Sequence, residues 1–305
     1  MNCPTGSIQR MTMSKYSAVL TSFNSEKTLV EAIESILLQS PAPSDVVIVD
    51  DYSSDGSYEV ALQQQVVNPS INVFRNETNM GVSFSRNLGV ANAKEEIVLF
   101  FDDDDRSLSH RASVHLDNIL LGADISYVSS TKTYPNGYGV ENVSEDFLGT
   151  LDPAHFAKYQ LLGGKSLFAA PASCMAIKKS VFLMAGGFDV TLKRLEDIEF
   201  SIRLSTLNSI FSFSSIDCVA RFDRGGPASQ FEGMSQRLIL DKFKELLSDQ
   251  EYQEALFKIE IRDMYFNRRF THLIIRLISE LLIHPKRIHY LILGAKRMKH
   301  DWSKK

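Results

Sequence analysis

Short apolar, β-branched runs alternate with amphipathic helical stretches through the first hundred residues, and that alternation leaves few folds open. Parallel strands need crossover connections, and successive crossovers build a sheet with helices on its faces. Tyr16 to Thr21 reads as a strand. Glu26 to Gln39 carries Leu29, Ile33, Ile36 and Leu37 along one helical stripe, with Asn24 and Ser25 as caps. Val46 to Val49 is a continuous apolar run ending in Asp50 and Asp51, before the turn-forming Ser53-Ser54-Asp55-Gly56-Ser57. Ile71 to Phe74 makes a third strand, Ser83 to Ala93 a helix, and Glu96 to Phe101 the strongest strand candidate, with Asp102-Asp103-Asp104-Asp105 at its tip. Ligands of open parallel sheets bind beyond the carboxyl ends of the strands, where these polar residues fall.

The remainder is less periodic. A helix is expected over Ser109 to Leu121 and a strand near Ile125 to Ser129, followed by a long loop rich in Gly, Pro and Tyr. After Gly187-Phe188-Asp189 a helix begins near Leu195, with Leu195, Ile198 and Ile202 on one face and Glu199 facing Arg203. Helices follow over Met234 to Tyr265 and Asn267 to Ile283. The expected division is a leader over 1–14, an α/β domain over 15–232 and a helical extension over 233–305.

Composition limits the class of protein. With 44% hydrophobic and 23% charged residues, most of the 305-residue chain should fold. Cys3, Cys174 and Cys218 are too few and too scattered for a disulfide framework or zinc site, which suits a reducing compartment. Cys174 and Cys218 are expected as buried small hydrophobes, and His110, His115 and His155, which lack metal-ligand spacing, as surface or loop residues. No leader with a basic start and an apolar run is visible.

Four consecutive aspartates repel one another, so gathering them in a cleft calls for a cation or water to offset the charge. In extended backbone, residues two apart point the same way, so Asp102 and Asp104 can face one ligand while Asp103 and Asp105 turn aside. Oxygen ligands suit Mg2+ or Mn2+. The bland reading is a solvated turn with a helix cap, which an isolated acidic cluster would deserve.

The cluster is not isolated. Leu20-Thr21-Ser22-Phe23-Asn24, Val49-Asp50-Asp51-Tyr52-Ser53-Ser54-Asp55-Gly56, Asn79-Met80-Gly81 with Arg86-Asn87 and Gly89, Phe101-Asp102-Asp103-Asp104, Gly187-Phe188-Asp189 and Glu196-Asp197-Ile198-Glu199 follow in an order and spacing that resembles family 2 glycosyltransferases of the GT-A fold. The resemblance covers about Ser17 to Arg203. It implies a Rossmann-like α/β fold with a mainly parallel central sheet flanked by helices, here with an α-helical C-terminal extension. It also implies a nucleotide-sugar donor, with UDP as the nucleotide. Thr21, Phe23 and Asn24 would surround the nucleoside, Asp51 and Arg86 the base, and Asp102 and Asp103 would serve the donor. Asp104, with Asp102, would hold a Mn2+ or Mg2+ ion at the diphosphate. Asp197 would be the base of an inverting displacement, and Glu196 would position hydroxyls. A third metal ligand in some relatives is a histidine beyond the Glu-Asp pair, yet no histidine falls between His155 and His272 here. Arg224-Gly225-Gly226 would close over the diphosphate instead, with Arg224 supplying the charge.

The acceptor implied is a saccharide or lipid-linked glycan, as in surface polysaccharide biosynthesis. A catalytically silent sugar-nucleotide- or glycan-binding subunit of a membrane-associated assembly is the alternative, and a nucleotidyltransferase a more distant one. Eleven Lys/Arg against three Asp/Glu follow Ile261, a net +8, which leaves −12 on the rest. Two readings of that basic tail stand side by side: an interfacial segment drawn to an anionic membrane surface, or a helix packed on the core with a solvated end. The first would make a cytoplasmic enzyme peripheral on the membrane. Nucleic acid is not an expected partner, because the positive charge is confined to the tail.

Overall fold

The computed structural model describes residues 15–134, 137–141, 146–162, 171–222, 229–266 and 270–283. Arg224, the leader and the tail beyond 283 lie outside these residues.

The expected βα units are present: β1 (Tyr16–Ser22), α1 (Leu29–Leu37), β2 (Asp45–Asp50), α2 (Ser57–Val67), β3 (Ile71–Arg75), α3 (Val82–Asn92) and β4 (Ile97–Asp102). The strands run parallel in the order β3-β2-β1-β4. All residues of β1 and β2 are buried, so alternate side chains feed two cores. Val19, Val47, Val49, Val98 and Phe100 face one way. Ala18, Leu20, Val46, Ile48, Leu99 and Phe101 face the other, against Leu29, Ile33 and Ile36 of α1. Each such side chain contributes about 1.5–3 kcal/mol by leaving water.

The second half departs from the long loop read in the sequence. After β5 (Arg106–Ser107), α4 (Arg111–Leu120) and β6 (Ile125–Tyr134) come β7 (Gly137–Glu141), β8 (Phe147–Thr150) and α5 (Pro153–Leu162). Then follow β9 (Met175–Lys178), α6 (Lys179–Met184), α7 (Glu196–Thr206) and β10 (Ile210–Phe222). β9 inserts antiparallel between β4 and β6, which lies parallel to β10, so one sheet runs from β3 to β5. The chain ends, among the described residues, with α8 (Ser229–Lys242), α9 (Asp249–Phe266) and α10 (Phe270–Ile283). Ile239 of α8 and Phe243 just after it pack with Phe156 of α5 and Ile202 of α7, which fastens the helical extension to the sheet domain.

His115 corrects an expectation. It is wholly buried on the inner face of α4, where its Nδ1 pairs with Ser126 Oγ at 2.9 Å. Burial and the neighbouring Arg111 push its pKa well below the ordinary histidine value, so the ring stays neutral. Arg111 is also buried; it donates to the Phe100 carbonyl at 2.6 Å and to Ser107 Oγ at 2.9 Å. Cys174 and Cys218 are buried and free, as expected. Glu199 and Arg203 form a bidentate pair at 2.9 and 2.6 Å, with Lys242 joining Glu199 at 2.6 Å.

Candidate active site

The parallel register fixes the floor of the site. Thr21 of β1 lies beside Val49 of β2 and Asp102 of β4, and Ser22 beside Asp50, so three strand tips end at one level. Beyond them opens a cavity of about 450 Å3, whose walls include Thr21, Phe23, Asp51, Arg86, Asp102, Asp103 and Asp104. Seven residues expected at the site thus share one cavity.

Asp51 is the pin of this wall. Its Oδ1 accepts from Asn76 Nδ2 at 2.7 Å and the Met80 amide at 2.8 Å, and its Oδ2 accepts from the Gly81 amide at 2.8 Å. Gly81 has φ +91°, a conformation that suits glycine, and so brings its amide to the carboxylate where α3 begins. Asn24 takes another part. Its Oδ1 accepts from the amide and hydroxyl of Ser54 at 2.9 and 3.2 Å, tying the first strand-helix turn to the second, and it is not among the cavity's lining residues. Asp55 likewise caps turns, accepting from the Glu26 and Ser57 amides.

Arg86 holds the centre. Only 5% exposed, it donates through Nη2 to Asp102 Oδ1 at 2.8 Å and through Nη1 to Glu196 Oε1 at 2.6 Å. A buried guanidinium with two carboxylates has its fork well matched, though its Nε has no hydrogen-bond partner among the described residues. Burial alone would raise the Asp102 pKa, but the Arg86 charge and hydrogen bond outweigh it and hold the carboxyl below its ordinary value.

The rest of the acidic tip is divided by task. Asp103 Oδ2 accepts from the Phe23 amide at 2.9 Å, which clamps the first turn onto the fourth strand. Asp104 is half-buried on the cavity wall. Asp105 turns inward beside Arg221, 3.4 Å away; burial and the charges of Asp102 and Asp104 push its pKa up to about 7 despite that arginine. The hard oxygen donors of Asp102 and Asp104 on one wall fit a divalent cation. No group of three or more His, Cys, Asp or Glu side chains converges on a point among the described residues, so such an ion would complete its shell from diphosphate and water.

Glu196 and Asp197 open α7, where acidic side chains suit the helix dipole. Burial and then the Glu196 charge push the Asp197 pKa up to about 7, against the pull of Arg86. Neither residue lines the 450 Å3 cavity; Glu196 is joined to its wall through Arg86, and Asp197 follows it in α7, within the influence of the Arg86 charge. Arg221 acts on Asp102, Asp105 and Asp197 together, and Lys193 brings an exposed cation to the cavity wall. Sequence reading missed both. Arg221 carried a faint signal as the first residue of the stretch Arg221 to Ser229 that contains Arg224-Gly225-Gly226; Lys193, a lone loop lysine, carried none.

Comparison with known proteins bears on the family of the chain. The model of "Glycosyl transferase family 2" matches residues 17–183, more than half of the chain and the span holding every strand tip described. An uncharacterized glycosyltransferase of Haemophilus influenzae is 30% identical over 191 residues, 62% of this chain and 61% of that protein. A GalNAc(5)-diNAcBac-PP-undecaprenol beta-1,3-glucosyltransferase of Campylobacter jejuni is 35% identical over 98 residues, 32% of each. The chain therefore spans less than two thirds of the length of these relatives. The crystal structure of S. aureus TarS 1-349 in complex with UDP-GlcNAc superposes with a TM-score of 0.62 at 21% identity, over 83% of this chain and 73% of that one. That likeness shows the GT-A fold, and with the family's own model lying across the acidic strand tips, the chain belongs to glycosyl transferase family 2.

Proposed function

We propose that this protein is an inverting glycosyltransferase that moves a sugar from a nucleotide donor, UDP-linked, to a saccharide or lipid-linked glycan acceptor in surface polysaccharide assembly. The reading rests on Arg86, which joins Asp102 at the cavity wall to Glu196 at the start of α7 and so makes the donor carboxylates and the Glu-Asp pair one electrostatic unit. The UDP-GlcNAc complex of the S. aureus fold neighbour supports the choice of nucleotide, and the lipid-linked substrate in the name of the Campylobacter relative supports the class of acceptor.

In this reading Thr21, Phe23 and Asp51 line the nucleoside end and Asp102 and Asp104 face the diphosphate, where they would hold Mn2+ or Mg2+. Such a cation supplies Lewis-acid neutralisation of the leaving nucleoside diphosphate. Asp197, with a pKa near the working pH, accepts the acceptor's hydroxyl proton as its oxygen bonds the anomeric carbon and the sugar–phosphate bond breaks. Glu196, held by Arg86, orients the reacting hydroxyl. A single displacement inverts the anomeric centre.

The test is a donor panel with manganese, scored by binding and by turnover, for wild type and Asp197→Asn. Turnover by wild type, with UDP binding kept and turnover lost in the variant, supports the reading. Donor binding by wild type with no turnover for any donor and acceptor assigns the chain to the silent binding subunit instead.

A further inference from the structure

The C-terminal helix carries an apolar face that points away from the protein. α10 lies against α9 through Leu273, which is buried, and through Arg276, whose Nε meets Glu260 Oε2 at 3.3 Å and whose guanidinium sits 5.0 Å from the Phe257 ring centre. These contacts fix the rotation of the helix. Ile274, Ile275 and Ile278 consequently face outward and are 56, 63 and 52% exposed. At helical spacing the three fall within one arc of about 100°. Three β-branched side chains held in water on one arc mark a contact surface rather than scattered exposure.

We infer that this face of α10 docks on an anionic lipid bilayer. Charge identifies the occupant. The sequence that follows α10 directly, residues 284–305, holds seven Lys/Arg and one Asp, whereas the chain through Ile261 carries −12. An anionic surface attracts only the C-terminal end and repels the remainder, so charge and the outward isoleucines select the same end of the chain. The apolar run of α10 is interrupted by Arg276 and Glu280 and is followed in the sequence by Pro285-Lys286-Arg287, short of the about 20 apolar residues a span needs, and no described helix is long and apolar enough to cross a membrane. The helix therefore lies on the bilayer with its isoleucines inserted. The inference is independent of which donor or acceptor the enzyme uses, and it chooses between the two readings of the tail in an unexpected way: α10 packs on the protein with one face and offers the other.

Flotation of the full chain with vesicles of phosphatidylcholine, alone or mixed with phosphatidylglycerol, tests it. Wild type should float with the mixed vesicles, remain at the bottom with phosphatidylcholine alone, and release at high salt. Ile274→Ser/Ile275→Ser/Ile278→Ser should cut the bound fraction by roughly tenfold or more, because the variant has lost the apolar side chains this face would insert. Lys296→Gln/Arg297→Gln/Lys299→Gln should weaken binding with the isoleucines intact. Unchanged circular dichroism and UDP affinity would show that the variants fold. The inference fails if wild type ignores the mixed vesicles, or if the serine variant floats as wild type does. It also fails if wild type proves a dimer that the serine substitutions split, since the face would then belong to a second copy.

Discussion

Replacing the proposed base by its neutral isostere should stabilise the protein, and by an amount that grows with pH in a defined window. Asp197 rises from an ordinary 3.8 to about 7 in the folded chain, through burial first and the Glu196 charge second. A carboxyl with a raised pKa keeps its proton in the folded state at pH 5 while the unfolded chain has already released it. Between about pH 4 and 7 the unfolded state therefore binds fewer protons, and wild-type stability falls as pH rises; above about 7 both states are ionised and the loss levels off. From pH 5 to the plateau is about two units at ~1.4 kcal/mol each, so the advantage of Asp197→Asn over wild type should widen by about 2–3 kcal/mol between pH 5 and pH 8. The Asn oxygen can still accept from the Ile198 amide, which Asp197 Oδ1 meets at 2.8 Å, and any fixed cost of the amide cancels in the comparison of the two pH values. Thermal melts of both proteins at pH 5, 6, 7 and 8 read the effect as a gap in Tm widening by about 3–5 °C. A gap that stays constant, or narrows with pH, would show that Asp197 is not a raised-pKa carboxyl and would remove the basis for its role as a base.

Arg86→Met leaves Asp102 and Glu196 without their shared counter-charge and should cost about 3–5 kcal/mol, seen as a lowered Tm, with Arg86→Lys recovering only part because an ammonium cannot span both carboxylates as a fork does. Asp104→Asn should weaken manganese-dependent UDP binding, measured by calorimetry, by about tenfold or more (~1.4 kcal/mol) while leaving Tm nearly unchanged, since the side chain is half-buried on the cavity wall. Gly89→Ala should destabilise by about 1–3 kcal/mol in a denaturant titration, because its Cβ would overlap Val19 Cγ1 in the fully buried β1.

What the sequence revealed and what it hid divide along physical lines. The first half is made of local units: each strand is an apolar run, each helix has a stripe, and the tips carry polar residues, so β1 to β4 fall within a residue or two of expectation. β9 escapes such reading because it is four residues long and is defined by partners far away on β4 and β6. β10 begins with a Phe-Ser alternation that should have signalled a strand. Its pairing with β6 then shifts register between Ser214 and Asp217 and again before Val219, which breaks the period-two pattern across its 13 residues. The burial of His115 is legible in helical spacing, since it shares the Ala112, Leu116 and Ile119 face of α4, whereas metal-ligand spacing says nothing about it. The bridge from Arg86 to Glu196 spans 110 residues, and no local pattern records it.

The site's rigidity has its own signature in the backbone. Among the described residues four non-glycine positions have positive φ, and three are next in the chain to residues of the site, Phe23, Asp51 and Glu196: Asn24 (50°), Tyr52 (63°) and Leu195 (63°). Left-handed backbone of this kind costs on the order of 1–3 kcal/mol per residue and persists only where surroundings over-determine it. Asn24 is held by hydrogen bonds to Ser53 and Ser54; Tyr52 follows Asp51, whose amide donates to the Ser22 carbonyl at 2.8 Å. Leu195 packs against the cluster of Phe156, Leu192 and Ile202 and caps α7, receiving the Glu199 amide at 3.1 Å. Each turn delivers the residue that matters next: Phe23 to Asp103, Asp51 to Gly81, and Glu196 to Arg86. The strain is thus spent on fixing polar groups before any ligand arrives, which suits chemistry that depends on charge already in place when a diphosphate departs.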